Sequence, residues 1–186
     1  MAGYAEHAGP SLWHNLARAA RDHGGKPALI CFGRQLDYAG IHAQTLALAA
    51  WMRQVAGVRK GDRVLLYSQN CPQWAIAFYA VLRADAVAVP VNPMNREAEL
   101  QHVLSHAQPV VAFCAAELAG RVQSAQAGNA ADGKAERLKE VVVIRYDDLL
   151  DEACGARPSA GSSPDDMPAW AREPHPHVEG FRRWPQ

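Results

Sequence analysis

No pair of cysteines in this sequence is close enough to read as a metal knuckle or a redox motif. The four cysteines, Cys31, Cys71, Cys114 and Cys154, lie far apart, with no CxxC spacing. They read as reduced core or surface thiols in a cytoplasmic setting. There is no excess of positive charge either: 19 Lys and Arg balance 19 Asp and Glu, which gives no reason to expect nucleic acid as a partner. The longest apolar run, Ala75–Leu82, is too short to cross a bilayer. The start, MAGYAEHAGP, has neither a basic stretch nor an apolar core, so it does not read as a signal peptide. No internal repeat is found. No glycine-rich loop ends in a lysine, so the usual cradle for a nucleotide's phosphates is missing as well.

What is present centres on DRVLLYSQNCPQWAIAFYAVLRADAVAVPVNPMNREAELQHVLSHAQPVVAFC, residues 62–114. Val64–Tyr67, Ala86–Val91 and Val110–Phe113 are short apolar runs without polar alternation, as expected for strands buried on both faces. Two segments of helical length separate them. Pro72 suits the first turn of a helix that Asn70 or Cys71 would cap, and WAIAFYAVL predicts burial almost all round. The second helix, Arg96–Ala107, is amphipathic on Leu100, Val103, Leu104 and Ala107, with Asn95 as its expected cap. Strands alternating with helices argue for a parallel sheet with right-handed crossovers. Leu65, Ile76, Phe78, Val87, Val89, Leu104 and Val111 are the expected core.

Residues 1–10 read as a frayed lead-in and residues 11–150 as the α/β body. Ser11 is expected to cap a helix with an apolar stripe on Leu12, Leu16, Ala19 and Ala20, ending at Gly24-Gly25. Ala28–Phe32 and Gln35–Tyr38, joined at Gly33-Arg34, predict a small β-hairpin. A long helix on Ile41, Thr45, Leu48, Met52 and Val55 follows, and Gly57 closes it. Beyond Cys114, a helix over Glu117–Ala125, a loop over Gln126–Lys134 and a strand over Val141–Tyr146 are expected. Six of the twelve prolines fall from Pro158 onward, so residues 151–186 read as an irregular tail. Trp170, Phe181 and Trp184 in that tail predict packing on something.

The segment GDRVLLYSQNCPQWAIAFYAVLRADAVAVPVNPMNREAELQHVLSHAQPVVAF resembles the N-terminal part of the adenylate-forming acyl-CoA synthetases, especially the fatty-acid–CoA ligase branch. The resemblance rests on Gly61-Asp62-Arg63-Val64, Asn70-Cys71-Pro72, Val81-Leu82-Arg83-Ala84 and Val89-Pro90-Val91-Asn92-Pro93. It begins near Leu12, runs to about Val122 and then thins. Asp85 stands where the family has a glycine, at a helix end that needs left-handed backbone, and Asp37 stands where the family carries Ser or Thr.

The resemblance implies an α/β fold with a parallel sheet flanked by helices, preceded by the hairpin. For the complete enzyme it implies a carboxylic acid, ATP, Mg and CoA as substrates and cofactors, with an acyl-adenylate intermediate. It also implies that this chain is an N-terminal piece, inactive alone, that stops short of the ATP-binding motifs. A partner segment could then carry the rest of the fold. The alternatives are a non-catalytic remnant or interaction module, and a small flavodoxin-like nucleotide binder.

No catalytic, cofactor-binding or metal residue is carried over. Ser159–Ser163 lacks a lysine and reads as a linker. His102 and His106 have chelating spacing but fall on the solvated face of their helix, and His175 and His177 read as incidental. Ser68 and Ser105 have no recognisable base. Lys60, Lys134 and Lys139 adjoin no glycine-rich loop, and Lys60 precedes a strand. Ser68–Cys71 and Asn92–Asn95 have the best positional claim, because each follows a parallel strand. The alternative for Asn70 and Asn95 is helix capping.

Overall fold

The computed structural model describes residues 11–134, 137–150, 156–175 and 177–184. The lead-in expected over residues 1–10, together with Cys154 and Pro176, lies outside them. The chain runs α1 (Leu12–His23), β1 (Pro27–Cys31), β2 (Arg34–Asp37), α2 (Tyr38–Gln54), β3 (Arg63–Tyr67), α3 (Pro72–Arg83) and β4 (Val87–Pro90). It continues with α4 (Glu97–Ala107), β5 (Val111–Ala115), α5 (Ala119–Ala131), β6 (Glu140–Ile144), β7 (Arg157–Pro158), α6 (Ala169–Arg172) and β8 (Arg182–Arg183). Five strands form a parallel sheet in the order β4-β3-β5-β6-β8, and β1, β2 and β7 form a small antiparallel sheet. The expected parallel sheet flanked by helices, with a hairpin before it, is the observed fold.

The apolar runs explain the centre. In the registers Leu65↔Val89 and Leu65↔Ala112, β3 sits between β4 and β5, and every residue of β5 is buried. Right-handed crossovers put α3 on one face and α4 and α5 on the other. Helices α1 and α2 pack with α3, while α4 and α5 pack on each other. Leu65, Ile76, Leu104 and Val111 are buried as expected. Val87 is not. It is 47% exposed, because β4 is the edge of the sheet and has a neighbour on one side only. Phe78 and Val89 are half-buried against the core.

Several local expectations change for identifiable reasons. In α1 the buried residues are Trp13 and Leu16, and Leu12 is 56% exposed. Trp13 stacks on His42 at 5.0 Å and turns the helix by one residue relative to the expected stripe. Val55 lies past the end of α2 and is exposed. Arg96, not Asn95, caps α4: its backbone N–H donates to Glu99 Oε2 at 2.8 Å. Helix α5 continues through residues 126–131, expected as loop, because Asn129 is buried and donates from Nδ2 to the Gln101 carbonyl on α4 at 3.2 Å. The hairpin gains a third strand, β7, which carries too few residues to give a periodic signal.

Both departures from the resembling pattern have a structural account. Asp85 has φ +57°, the left-handed region a glycine would occupy without strain. Asp37 does the work of a Ser or Thr cap, since its Oδ1 accepts the Gly40 N–H at 2.8 Å, and its carboxylate also pairs with Arg157 on β7. At the hairpin turn, Phe32 (φ +48°) and Gly33 (φ +68°) are both left-handed, as a tight two-residue connection requires. A Cβ on Gly33 would meet Asp166 Oδ2 at 2.5 Å.

The tail is ordered where it touches the body. Trp184 N–H donates to the Val143 carbonyl at 3.1 Å, and its ring sits edge-on to Phe113 at 5.7 Å. Among the described residues no helix is long and apolar enough to cross a membrane.

Candidate functional site

In an open parallel sheet, ligands bind at the carboxyl ends of two adjacent strands whose connections leave toward opposite faces. Here those strands are β3, which leads into α3, and β5, which leads into α5. The crevice between them is built from three loops. From the first, Ser68 is buried and donates its hydroxyl to the Gln69 carbonyl at 3.0 Å. Cys71 caps α3, its Sγ accepting the Trp74 N–H at 3.4 Å. Burial pushes that thiol up to about 12, so it stays protonated and is no nucleophile at neutral pH.

Gln73, 3% exposed in the first turn of α3, donates from Nε2 to the Arg145 carbonyl at the end of β6 at 3.0 Å. Its Oε1 is buried with no partner among the described residues. Glu117 follows β5, and its Oε1 accepts the Tyr146 hydroxyl at 2.9 Å. Burial first, and then the Glu117 charge, raise the Tyr146 phenol far above its usual range. Phe32 and Trp170 stand edge-on to the Tyr146 ring at 6.4 and 5.5 Å. Beside them Arg145 grips Asp147 with two bonds of 3.0 and 2.6 Å, which hold the Asp147 carboxyl below its usual range. Burial raises the neighbouring Asp148 instead. The crevice is thus filled by the chain's own tyrosine, glutamate and glutamine.

The loop at Asn92–Asn95 is also committed to structure. Asn92 Oδ1 accepts the Met94 N–H at 2.9 Å, forming a local turn. The Asn95 carbonyl accepts from the Tyr67 hydroxyl at 2.7 Å and from Arg121 Nη1 at 3.1 Å, and Arg121 also reaches the Pro93 carbonyl at 3.2 Å. Asn70 and Asn95 therefore cap neither α3 nor α4.

The remaining candidates are dispersed. His102 and His106 are exposed, with stacked rings 5.9 Å apart. Among the described residues no group of three His, Cys, Asp or Glu could hold a metal. Ser105 donates to the His102 carbonyl at 2.9 Å. Ser159 anchors the hairpin turn through the Gly33 carbonyl, at 2.8 Å from its N–H and 3.0 Å from its hydroxyl. Lys134 pairs with Asp132 at 2.9 Å. Lys60 is exposed just before β3, at the amino end of the sheet, and Lys139 lies just before β6 at that same end.

Sequence reasoning did not find Gln73, Glu117, Arg121 or Tyr146. Glu117 and Tyr146 each follow a strand's carboxyl end, but that place acquires meaning only once the strand order is known. A nucleotide triphosphate at this crevice would need N–H donors and a free cation. The crevice presents the Glu117 carboxylate, a protonated thiol and an arginine already held by Asp147. Among the described residues, the crevice does not fit ATP phosphates.

The sequence profile of one family, described as AMP-binding enzyme, matches residues 16–178. A long-chain-fatty-acid–CoA ligase of Yersinia pestis is 30% identical over 145 residues, which is 78% of this chain and 25% of that protein. One of Bacillus subtilis is 41% identical over 83 residues, 45% of this chain and 15% of that protein. The chain therefore spans about a quarter or less of the length of these curated relatives. Among solved structures, a long-chain-fatty-acid–CoA ligase from Archaeoglobus fulgidus superposes with TM-score 0.64 at 25% identity, over 77% of this chain and 29% of that one. The N-terminal subdomain of NpsA from Klebsiella oxytoca gives 0.52 at 27% identity, over 55% of this chain and 27% of that one.

Proposed function

The chain belongs to the AMP-binding enzyme family, and on that premise we propose that it forms part of the body of a fatty-acid or related acid–CoA ligase and forms no acyl-adenylate by itself. In this reading the complete enzyme joins a carboxylic acid to ATP, releases pyrophosphate and passes the acyl group to CoA in the cytoplasm. ATP, Mg, CoA and the acid are then engaged by segments beyond the residues described, and this chain supplies the sheet that supports them. The observation that carries the proposal is the switch-point crevice, filled by Gln73, Glu117 and Tyr146 where a phosphate cradle would have to lie.

A second reading, a self-contained non-catalytic module, is favoured by one feature. The chain's own β8 covers part of the β6 edge, and Trp184 packs on Phe113. One experiment tests both. Pyrophosphate release is followed with ATP, Mg, CoA and fatty acids of short to long chain. The chain alone should give no turnover above a heat-killed control, and turnover that survives repurification overturns the proposal. Co-expression with a relative's segment bearing the Ser/Thr/Gly-rich, lysine-ending loop should restore activity to a ligase part but not to a self-contained module.

A further inference from the structure

The two histidines that read as incidental in the sequence lie in a built environment. Arg145, His175, His177, Arg182 and Arg183 line one cleft of about 60 Å³ at the carboxyl ends of β6 and β8, floored by Phe181. Among the described residues no acidic side chain lines it. The arginines are differently engaged. Arg145 is held by Asp147, and Arg182 is held by Glu140 at 3.2 Å while its guanidinium lies over the Trp51 ring. Arg183 makes no ion pair within 4 Å among the described residues, although its charge acts on the nearby Asp147 and Asp148 carboxyls. Two short strands hold this geometry, because Val143 pairs with Arg183 and accepts the next residue's N–H through its carbonyl.

We propose that this cleft binds a free tetrahedral oxyanion of the inorganic phosphate class, with Arg183 as the principal contact. The Arg183 guanidinium and the two imidazoles are the donors here not already taken by a carboxylate, and a planar guanidinium fork matches an oxyanion's geometry. Size selects the ligand: about 60 Å³ accommodates one phosphate, whereas pockets for larger organic ligands run to roughly 300 Å³ and more. A divalent cation is disfavoured, because Arg183 repels it and two histidines alone leave its coordination incomplete. The proposal does not depend on the ligase reading, and pyrophosphate-release assays do not bear on it.

The test is calorimetric titration of the full chain with inorganic phosphate at low ionic strength, with sodium chloride of matched ionic strength as the reference. Saturable one-to-one binding is expected, absent with chloride and weakened by added salt. Arg183→Gln, at an exposed position, should weaken binding about tenfold, the loss expected for one charge-assisted contact. Arg18→Gln, on the exposed face of α1, should leave binding unchanged. The His175→Gln/His177→Gln double variant gives an independent arm and should weaken binding severalfold, whether or not Arg183→Gln folds. Absence of saturable binding, or equal weakening by Arg18→Gln and Arg183→Gln, overturns the proposal.

Discussion

The body from Arg63 to Ala131 and the tail from Ala156 to Trp184 reach order by different means. In the body each element carries its own reason to form: runs that bury both faces of a strand, a proline in the first turn of α3, and a glutamate reaching back to the start of α4. In the tail almost nothing is self-sufficient. Its strands β7 and β8 are two residues each and exist because β2 and β6 offer open edges. Its side chains find partners far away in sequence, Trp170 on Phe32 and Tyr146, Trp184 on Phe113. A segment that takes its structure from another should open before it, so the two regions should differ in local stability.

The sharpest way to separate them is to damage the body first. Leu65 is fully buried in β3, between β4 and β5. Leu65→Ala should destabilise the whole chain by about 2–5 kcal/mol, seen as a shifted midpoint in urea unfolding by far-UV circular dichroism. A midpoint that does not move would mean that β3 is not the centre of the fold.

The tail should respond more weakly and differently. Trp184 is half-buried, so Trp184→Ala should cost about 1–3 kcal/mol, less than full burial of a tryptophan would give. Amide exchange should quicken in residues 156–184 and change little in β3 and β5. Deleting residues 158–186 opens the β6 edge and uncovers apolar surface, and static light scattering should then report self-association. A deleted chain that stays monomeric would show that the tail covers nothing of consequence.

A gain is expected at one position in the body. Asp85 holds a left-handed backbone at the end of α3, and its carbonyl accepts the Gly61 N–H at 2.8 Å. Asp85→Gly removes the Cβ strain, roughly 1–2 kcal/mol, against the extra freedom glycine has when unfolded, up to about 1 kcal/mol. The net should be a stabilisation of up to about 1 kcal/mol. A loss of stability would mean that the Asp85 side chain contributes more than its backbone strain takes away.

The same contrast decides what the sequence made legible. The sheet, the two crossover helices and the hairpin could be read from β-branched runs, Pro72 and the Leu100/Leu104 spacing, because burial there follows the local period. Val87 misled because its run looks like a buried strand, and edge position is a property of strand order rather than of the run. Helix α5 ran past its apolar pattern because a buried Asn129 satisfies one end of its amide on α4, a tertiary bond with no local sign. The candidate site was hidden for a similar reason. Ser68–Cys71 and Asn92–Asn95 were identified as loops after strands, but Glu117 and Tyr146 come from different strands and meet only when β5 and β6 pair. The tail's aromatics indicated packing, but their partners had no sequence signature.

The smallest expected effect lies at the seam between the two regions, where Arg145 and Asp147 follow β6. The bond from Arg145 holds the Asp147 carboxyl below its usual value of 3.8. A carboxyl whose folded value is depressed adds stability above its unfolded value and loses it as pH falls through the folded one. Asp148 acts in the opposite sense: burial raises it, so its charged form opposes folding and protonation relieves it. Asp147→Asn should therefore flatten the loss of stability on acidification below about pH 4, and Asp148→Asn should remove a gain that sets in above about pH 4. The pair is partly exposed, with 24% and 30% of the two side chains accessible, so screening keeps the Asp147 contribution below about 1 kcal/mol. Urea midpoints at pH 3, 4, 5 and 7 resolve the two signs. Equal pH dependence in Asp147→Asn and the parent would show that the Arg145 bond adds nothing to folding and that this seam is held by its other contacts, the Gln73 bond to the Arg145 carbonyl and the Tyr146 bond to Glu117.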